Sequence, residues 1–372
     1  MEKIVAVVIC GLAALTAAGA PAAATKGGLL QRASQLSGLP VRRVVPEKKL
    51  AATKYDSAVL RSTYHEYPRS LRSVDAALYA RLGLTRRSLQ AQLAAATQAS
   101  RAWYDPAARR LLLRRTPMPQ RARVVNELVR ALVDQNFNLR RIAKLRARDR
   151  DGALAAKAIV DGTAALASGV GVSPVSGTPL ERFLQLESGV DVGKALASEL
   201  RYLGGSRALR SALQSFPQTT EQLLHIDKFL EREHALPVRL PTRIGDWKLS
   251  ASETFGELDI RSLLRAFGIP DAVATADGWG GGRIGLYVSP SGQTTAAISL
   301  VWDTIEDAAQ WRDAVPRYVE AAFPGATARD CPPLDHCWSS VSTVASEVLG
   351  TMGIFASGPG AETVAASLLT QR

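Results

Sequence analysis

Residues 120–139, QRARVVNELVRALVDQNFNL, constrain the chain more than any other stretch. Val124, Val125, Leu128, Leu132 and Val133 recur at the three-and-four spacing that lines one stripe of a helix, so this element is expected to face a core. Asn126, Glu127 and Arg130 are interleaved with that stripe. Positions 126 and 130 stand one turn apart on one face and 127 adjoins them. The helix therefore carries charge inward with it, and the fold must supply partners, because an unpaired buried charge is costly.

A Glu directly after the first of two positions four apart is the spacing of an H-E-x-x-H zinc helix, where the two His hold the metal and the Glu activates water. Asn126 and Arg130 stand in the His places. The longer run N-E-L-V-R-A-L-V-D-Q-N-F-N-L resembles the H-E-L-T-H-A-L-Q-D-Q-H-F-D-L run of a family of secreted bacterial gluzincin-like metallopeptidase domains. Trp103-Tyr104-Asp105-Pro106, with Leu111-Leu112-Leu113, resembles that family's Y-D-P hairpin, and Ala158 to Ala164 its A-x-V-E-G-D-A helix, with Asp161 at the third-ligand Glu. Gly278-Trp279-Gly280-Gly281-Gly282-Arg283 and Trp302-Asp303-Thr304-Ile305-Glu306-Asp307-Ala308 are similar to its G-W-G-G-D-R and W-D-T-x-x-D-A signatures, with Gly282 where the family carries Asp. The likeness runs from about residue 60 to the C-terminus, with the motifs in the family's order. It implies an α+β fold: a helix-rich, zincin-like domain with a strand-rich C-terminal part.

The resemblance also implies zinc, yet the donors are missing. A catalytic zinc takes three protein ligands, almost always His nitrogen, Cys sulfur or carboxylate oxygen, and leaves one position open for water. Asn126 is a poor donor, and the Arg130 guanidinium stays protonated and repels a dication. Glu127 remains, but a base without a metal-bound water has no nucleophile to make. No metal and no cofactor is therefore expected. Glu127 and Asp161 facing an empty metal cavity would be two buried like charges, and an arginine there supplies the missing positive charge. The expectation is an ion pair from Arg130 to Asp161, Glu127 or both; the alternative sends Arg130 to solvent and pairs Glu127 elsewhere. The expected function is that of a catalytically inactive metallopeptidase-like exported protein that binds a polypeptide or an anionic envelope component. Residual metal-dependent hydrolysis by Glu127 is one alternative, and attachment to the envelope through a basic surface is another.

Met1-Glu2-Lys3, the apolar run Ile4–Ala20 and Pro21-Ala22-Ala23-Ala24 read as a signal peptide cleaved after Ala24, with an uncleaved anchor as the competing reading. Either implies a secreted or periplasmic protein. Cys10 follows Val8-Ile9 instead of a small residue, which argues against a lipoprotein. Of the 3 cysteines, Cys331 and Cys337 remain, and in an oxidising compartment they are expected to close a small disulfide loop. The same loop with His336 matches no common zinc spacing. The net charge of +12 is uneven: residues 101–150 hold thirteen Arg and one Lys against four acids, whereas 301–372 hold four Arg against nine. A basic surface of this kind attracts anionic polymers or acidic proteins, or is merely a solvated face; no nucleic-acid motif accompanies it.

Residues 25–55, rich in Gly, Ser, Lys and Arg, are expected to be a flexible mature N-terminus. A metallopeptidase-like domain is expected over 56–236, with helix caps at Ser73 and Thr85, and a strand-rich part over 237–372, with no membrane span in either. Gly278–Gly282 lacks the Lys and Ser/Thr of a phosphate loop and is expected to be a tight turn that lets Trp279 pack.

Overall fold

The computed structural model describes residues 26–84, 89–171, 174–340 and 342–370. The expected signal peptide at 1–24 and the cap at Thr85 lie outside the described residues. The chain is α+β, and the expected helix cap at Ser73 is corrected: the helix there begins at Arg69, so that Ser73 lies inside it. Helix α1 (Lys26–Ser37), strand β1 (Glu47–Leu50), helices α2 (Ala52–Glu66), α3 (Arg69–Arg81) and α4 (Leu89–Ala99) precede a hairpin of β2 (Ala102–Asp105) and β3 (Arg110–Arg114). Next come α5 (Arg121–Phe137), α6 (Arg140–Arg146), α7 (Arg150–Ser168), α8 (Pro179–Glu187), α9 (Val190–Gln214), α10 (Thr220–Leu224) and α11 (Ile226–Glu231). The C-terminal part holds β4 (Arg243–Ile244), β5 (Trp247–Thr254), α12 (Glu257–Ala266), α13 (Ala272–Ala276), β6 (Trp279–Val288), β7 (Thr294–Trp302), α14 (Ile305–Ala322), β8 (Thr327–Cys331), β9 (Leu334–Ser339), β10 (Thr343–Leu349), β11 (Met352–Ser357) and α15 (Ala361–Thr370). No helix among the described residues is long and apolar enough to cross a membrane.

These elements form two compact units. Of the described residues, the first comprises those up to 69 together with those in 89–177 and 184–233, and the second comprises those in 70–84, 178–183 and 234–370. The break at 233 falls close to the expected one at 236, but the expected domain at 56–236 is not continuous. Residues 70–84 leave it because the end of α3 serves the second unit: the Tyr318 hydroxyl donates to the Leu82 carbonyl at 2.8 Å, and Arg81 Nε donates to Thr294 Oγ1 at 3.0 Å.

In the first unit β3 is the central strand, paired antiparallel with β2 and parallel with β1. Helix α5 lies against this sheet, and α7 packs on α5 and on α9. Residues 26–50 correct the expectation of a flexible N-terminus. Leu29, Leu30, Ala33 and Leu39 are buried, and Lys48 and Lys49 sit opposite Leu112 and Leu113 in the parallel ladder. Gln135 also straps the intervening segment down, its Oε1 accepting from the N–H groups of Arg42 and Arg43 at 2.9 and 3.1 Å while its Nε2 donates to the Arg43 carbonyl at 2.9 Å. Polar composition misleads here because the partners of those backbone groups lie more than ninety residues away.

In the second unit an antiparallel sheet of eight strands runs β4-β5-β6-β7-β11-β10-β9-β8. Alternation in β11 explains how both faces are covered. Ile354 and Ala356 join the cluster formed with Val364, Ala365 and Leu368 of α15, while Phe355 points the other way, its ring 5.6 Å from Tyr318 of α14. Cys331 and Cys337 are disulfide-bonded across β8 and β9, as their spacing implied.

Candidate functional site

Helix α5 is buried almost all round from Val124 to Asp134, so Asn126, Glu127 and Arg130 lie in the interior and not on a solvated stripe. The packing of α7 on α5 brings Asp161 to Arg130. The guanidinium Nε stands 3.1 Å from Asp161 Oδ1, and Nη1 stands 3.5 Å from Glu127 Oε2. The former is a charge contact and not an aligned hydrogen bond. Trp103 of β2 provides a floor, its ring centroid 5.2 Å from Arg130 Cζ, within cation–π range. Trp103 is fixed in turn by its indole N–H, which donates to Ser62 Oγ at 3.0 Å.

Two ionisable groups that the sequence resemblance did not indicate complete the cluster. Lys157, one turn before Asp161 on α7, pairs with Asp161 Oδ2. Glu66, the last residue of α2, lies within reach of the Arg130 and Lys157 charges and has a buried Oε1 without a hydrogen-bond partner among the described residues. Lys157 was missed, although its i,i+4 spacing to Asp161 was the signal that could have found it. Glu66 carried no local signal, because only tertiary packing places the end of α2 beside α5.

The three carboxylates divide by environment. Desolvation by burial opposes ionisation of Asp161, but Arg130 and Lys157 outweigh it and hold its pKa below the usual carboxylate range. Burial pushes Glu127 up despite Arg130 and a backbone N–H from Tyr104 at 2.8 Å, and pushes Glu66 up as well. Charge pairing thus favours the ionised form of Asp161, while burial works against that of Glu127 and Glu66. Asn126 takes no part in the ion pairs described; its Nδ2 donates to Ser168 Oγ at 3.3 Å, two turns beyond Asp161 along α7.

The other motif residues are architectural. The Tyr104 hydroxyl donates to Asp134 Oδ2 at 2.7 Å, and Asp134 Oδ1 accepts from the Leu139 N–H at 2.8 Å, so one carboxylate ties the hairpin to the end of α5. Asp105 Oδ1 accepts from the Ala108 N–H at 3.0 Å across the turn that Pro106 opens. The expected turn at Gly278–Gly282 is corrected: only Gly278, at φ 73°, has turn geometry, and Gly280–Gly282 belong to β6. These glycines are needed for close passage of other backbone. A Cβ on Gly281 would lie 2.4 Å from the Leu236 carbonyl oxygen, and one on Gly282 would lie 2.5 Å from that of Phe255. The Trp279 indole does pack there, donating to the Phe255 carbonyl at 3.0 Å. The second tryptophan motif sits opposite, with Trp302 paired to Trp279 in the ladder and the Asp303 N–H donating to the Gly278 carbonyl at 2.8 Å. Arg283 is spent on Ser252, donating from Nε to Oγ at 3.0 Å.

The model of one family, a domain of unknown function (DUF8575), matches residues 243–364, which span the eight-stranded sheet and α14 but not the Arg130 cluster. No curated protein and no solved structure matches the chain.

Proposed function

We propose that the chain is a catalytically inactive, metallopeptidase-like exported protein in which Arg130 occupies the place of the metal, and that its remaining role is to bind a polypeptide or an envelope component. The observation that carries this reading is the position of the guanidinium between Glu127 and Asp161, where it supplies the positive charge that those carboxylates require. An arginine there is incompatible with a zinc-bound water, because it cannot offer a lone pair and repels the dication. Glu127 is also poorly suited to act as a base on its own: its carboxylate accepts the Tyr104 N–H and faces Arg130, with no hydroxyl or water-activating centre among these contacts. The test is to purify the mature protein, measure bound metal, and assay peptidase activity with and without a chelator. The expected outcome is no stoichiometric zinc and no chelator-sensitive cleavage. Zinc at one per chain with chelator-sensitive cleavage would replace this reading with that of an active hydrolase.

A further inference from the structure

Beyond the C-terminal end of α5 lies a cavity of about 520 Å³ whose lining includes Arg43, Arg109, Arg141, Asp134 and Asn136. It is separate from the Arg130 cluster and does not depend on the reading given there. Tyr104 links the two, its N–H serving Glu127 and its hydroxyl serving Asp134. Three arginines and one carboxylate, Asp134, line it. Both oxygens of that carboxylate are already used, by Tyr104 and Leu139, and its nearest guanidinium atom is Arg109 Nε at a long 3.9 Å. Two positive charges are left in excess within the lining.

The arginines differ in how they are held. Arg141 is fixed: its terminal nitrogens donate to the carbonyls of Leu213 and Gln214, its guanidinium lies 3.8 Å from the Phe216 ring centroid, and its Nε is buried without a hydrogen-bond partner among the described residues. Desolvation by burial lowers its pKa. Arg109 is held by a left-handed backbone, φ 50°, in the hairpin turn, and keeps a side chain 42% exposed. The backbone of Arg43 is locked by Gln135, while its guanidinium makes no hydrogen bond or ion pair with a described residue. A positioned backbone carrying one uncommitted guanidinium fork, that of Arg43, beside a second held only at 3.9 Å from a carboxylate, that of Arg109, is an arrangement that receives an oxyanion.

We propose that this cavity binds the phosphate group of a phosphate ester, with Arg43 and Arg109 as the hydrogen-bonding forks and Arg141 as a fixed charge behind them. The volume lies within the range of small-ligand sites and exceeds what a bare phosphate fills, which leaves room for the polyol or sugar carrying it. The surplus of basic residues across 101–150 draws such anions toward this face. The ester has two possible sources, a free phosphorylated metabolite or a repeating unit of a phosphodiester polymer.

The test is isothermal titration calorimetry of the mature full-length chain at low ionic strength, with glycerol 3-phosphate in one arm and poly(glycerol phosphate) in the other. Saturable binding is expected in at least one arm, weakened about tenfold or more in R43Q/R109Q and by added salt. Both substituted side chains are at the surface, and circular dichroism verifies that the variant is folded. Comparable affinity per phosphate in both arms assigns a small ligand, and binding of the polymer alone assigns an envelope polyanion. No saturable binding in either arm, binding undiminished in R43Q/R109Q, or equal affinity for citrate would overturn the phosphate site.

Discussion

At the scale of single residues the centre of the molecule is the balance between Arg130 and its carboxylates. Truncating one partner of a buried pair strands the other, so R130M should lose about 3–5 kcal/mol of stability. In R130M/D161N the loss should fall well short of the sum of the single losses, as urea unfolding of all four chains will measure; strict additivity would deny the pair. The carboxylates also predict opposite responses to pH. Asp161, depressed mainly by Arg130 against the cost of burial, contributes stability above the ordinary aspartate range that is lost as pH falls through its folded-state pKa. Glu66, raised by burial, contributes in the opposite sense: its share is complete below the ordinary glutamate range and is lost as pH rises through its folded-state pKa. E66Q should therefore gain stability relative to the unaltered chain as pH rises above the ordinary glutamate range, whereas D161N should lose it as pH rises through the acid range below about 4 and then stay level. Unfolding midpoints across both windows, from about pH 2 to about pH 8, will check both signs.

Among the secondary-structure elements, α7 shows how closely a helix can be specified by one small residue. Gly162 reads in sequence as a tolerated interior glycine, yet a Cβ there would lie 2.1 Å from the carbonyl carbon of Gly193 on α9, and a Cβ on Gly193 would lie 2.0 Å from the Ala158 carbonyl oxygen. The two helices cross backbone to backbone, and that crossing sets where α7 presents Asp161 and Lys157. G162A should cost at least about 1–3 kcal/mol by overpacking against backbone that cannot move aside. It should also loosen the Arg130 cluster, read as a smaller coupling between Arg130 and Asp161 than in the unaltered chain. The hairpin, α5 and α7 were legible in the sequence because their apolar periodicity and turn residues are local. The docking of α1 and β1 was not legible, since Gln135 and β3 decide it from far along the chain. Gly280–Gly282 misled for a related reason: glycine marks a turn and a close backbone approach alike, and only tertiary structure separates them.

At the scale of the whole molecule, an α+β chain with a helix-rich first part and an antiparallel second part was expected and is present. The boundary near 233 was visible as a shift from helical periodicity to Pro-punctuated strands, but the transfer of residues 70–84 to the second unit was not, because α3 has the same amphipathic pattern whichever core it faces. The candidate site divides in the same way. Glu127, Arg130 and Asp161 were readable from motif spacing, and Asn126 was grouped with them although it bonds Ser168 instead; Lys157 was overlooked despite its i,i+4 spacing to Asp161, and Glu66 required the fold. The central claim is that an arginine replaces a metal on a scaffold still shaped for one. Its most direct test is the zinc content of purified N126H/R130H/D161E, in which the two His and the Glu of the resembled motifs are restored. The account predicts one tightly held zinc per chain in that variant, with thermal stability that falls on chelation, and none in the unaltered protein. A folded variant that takes up no zinc, or an unaltered chain that already carries it, would contradict the account.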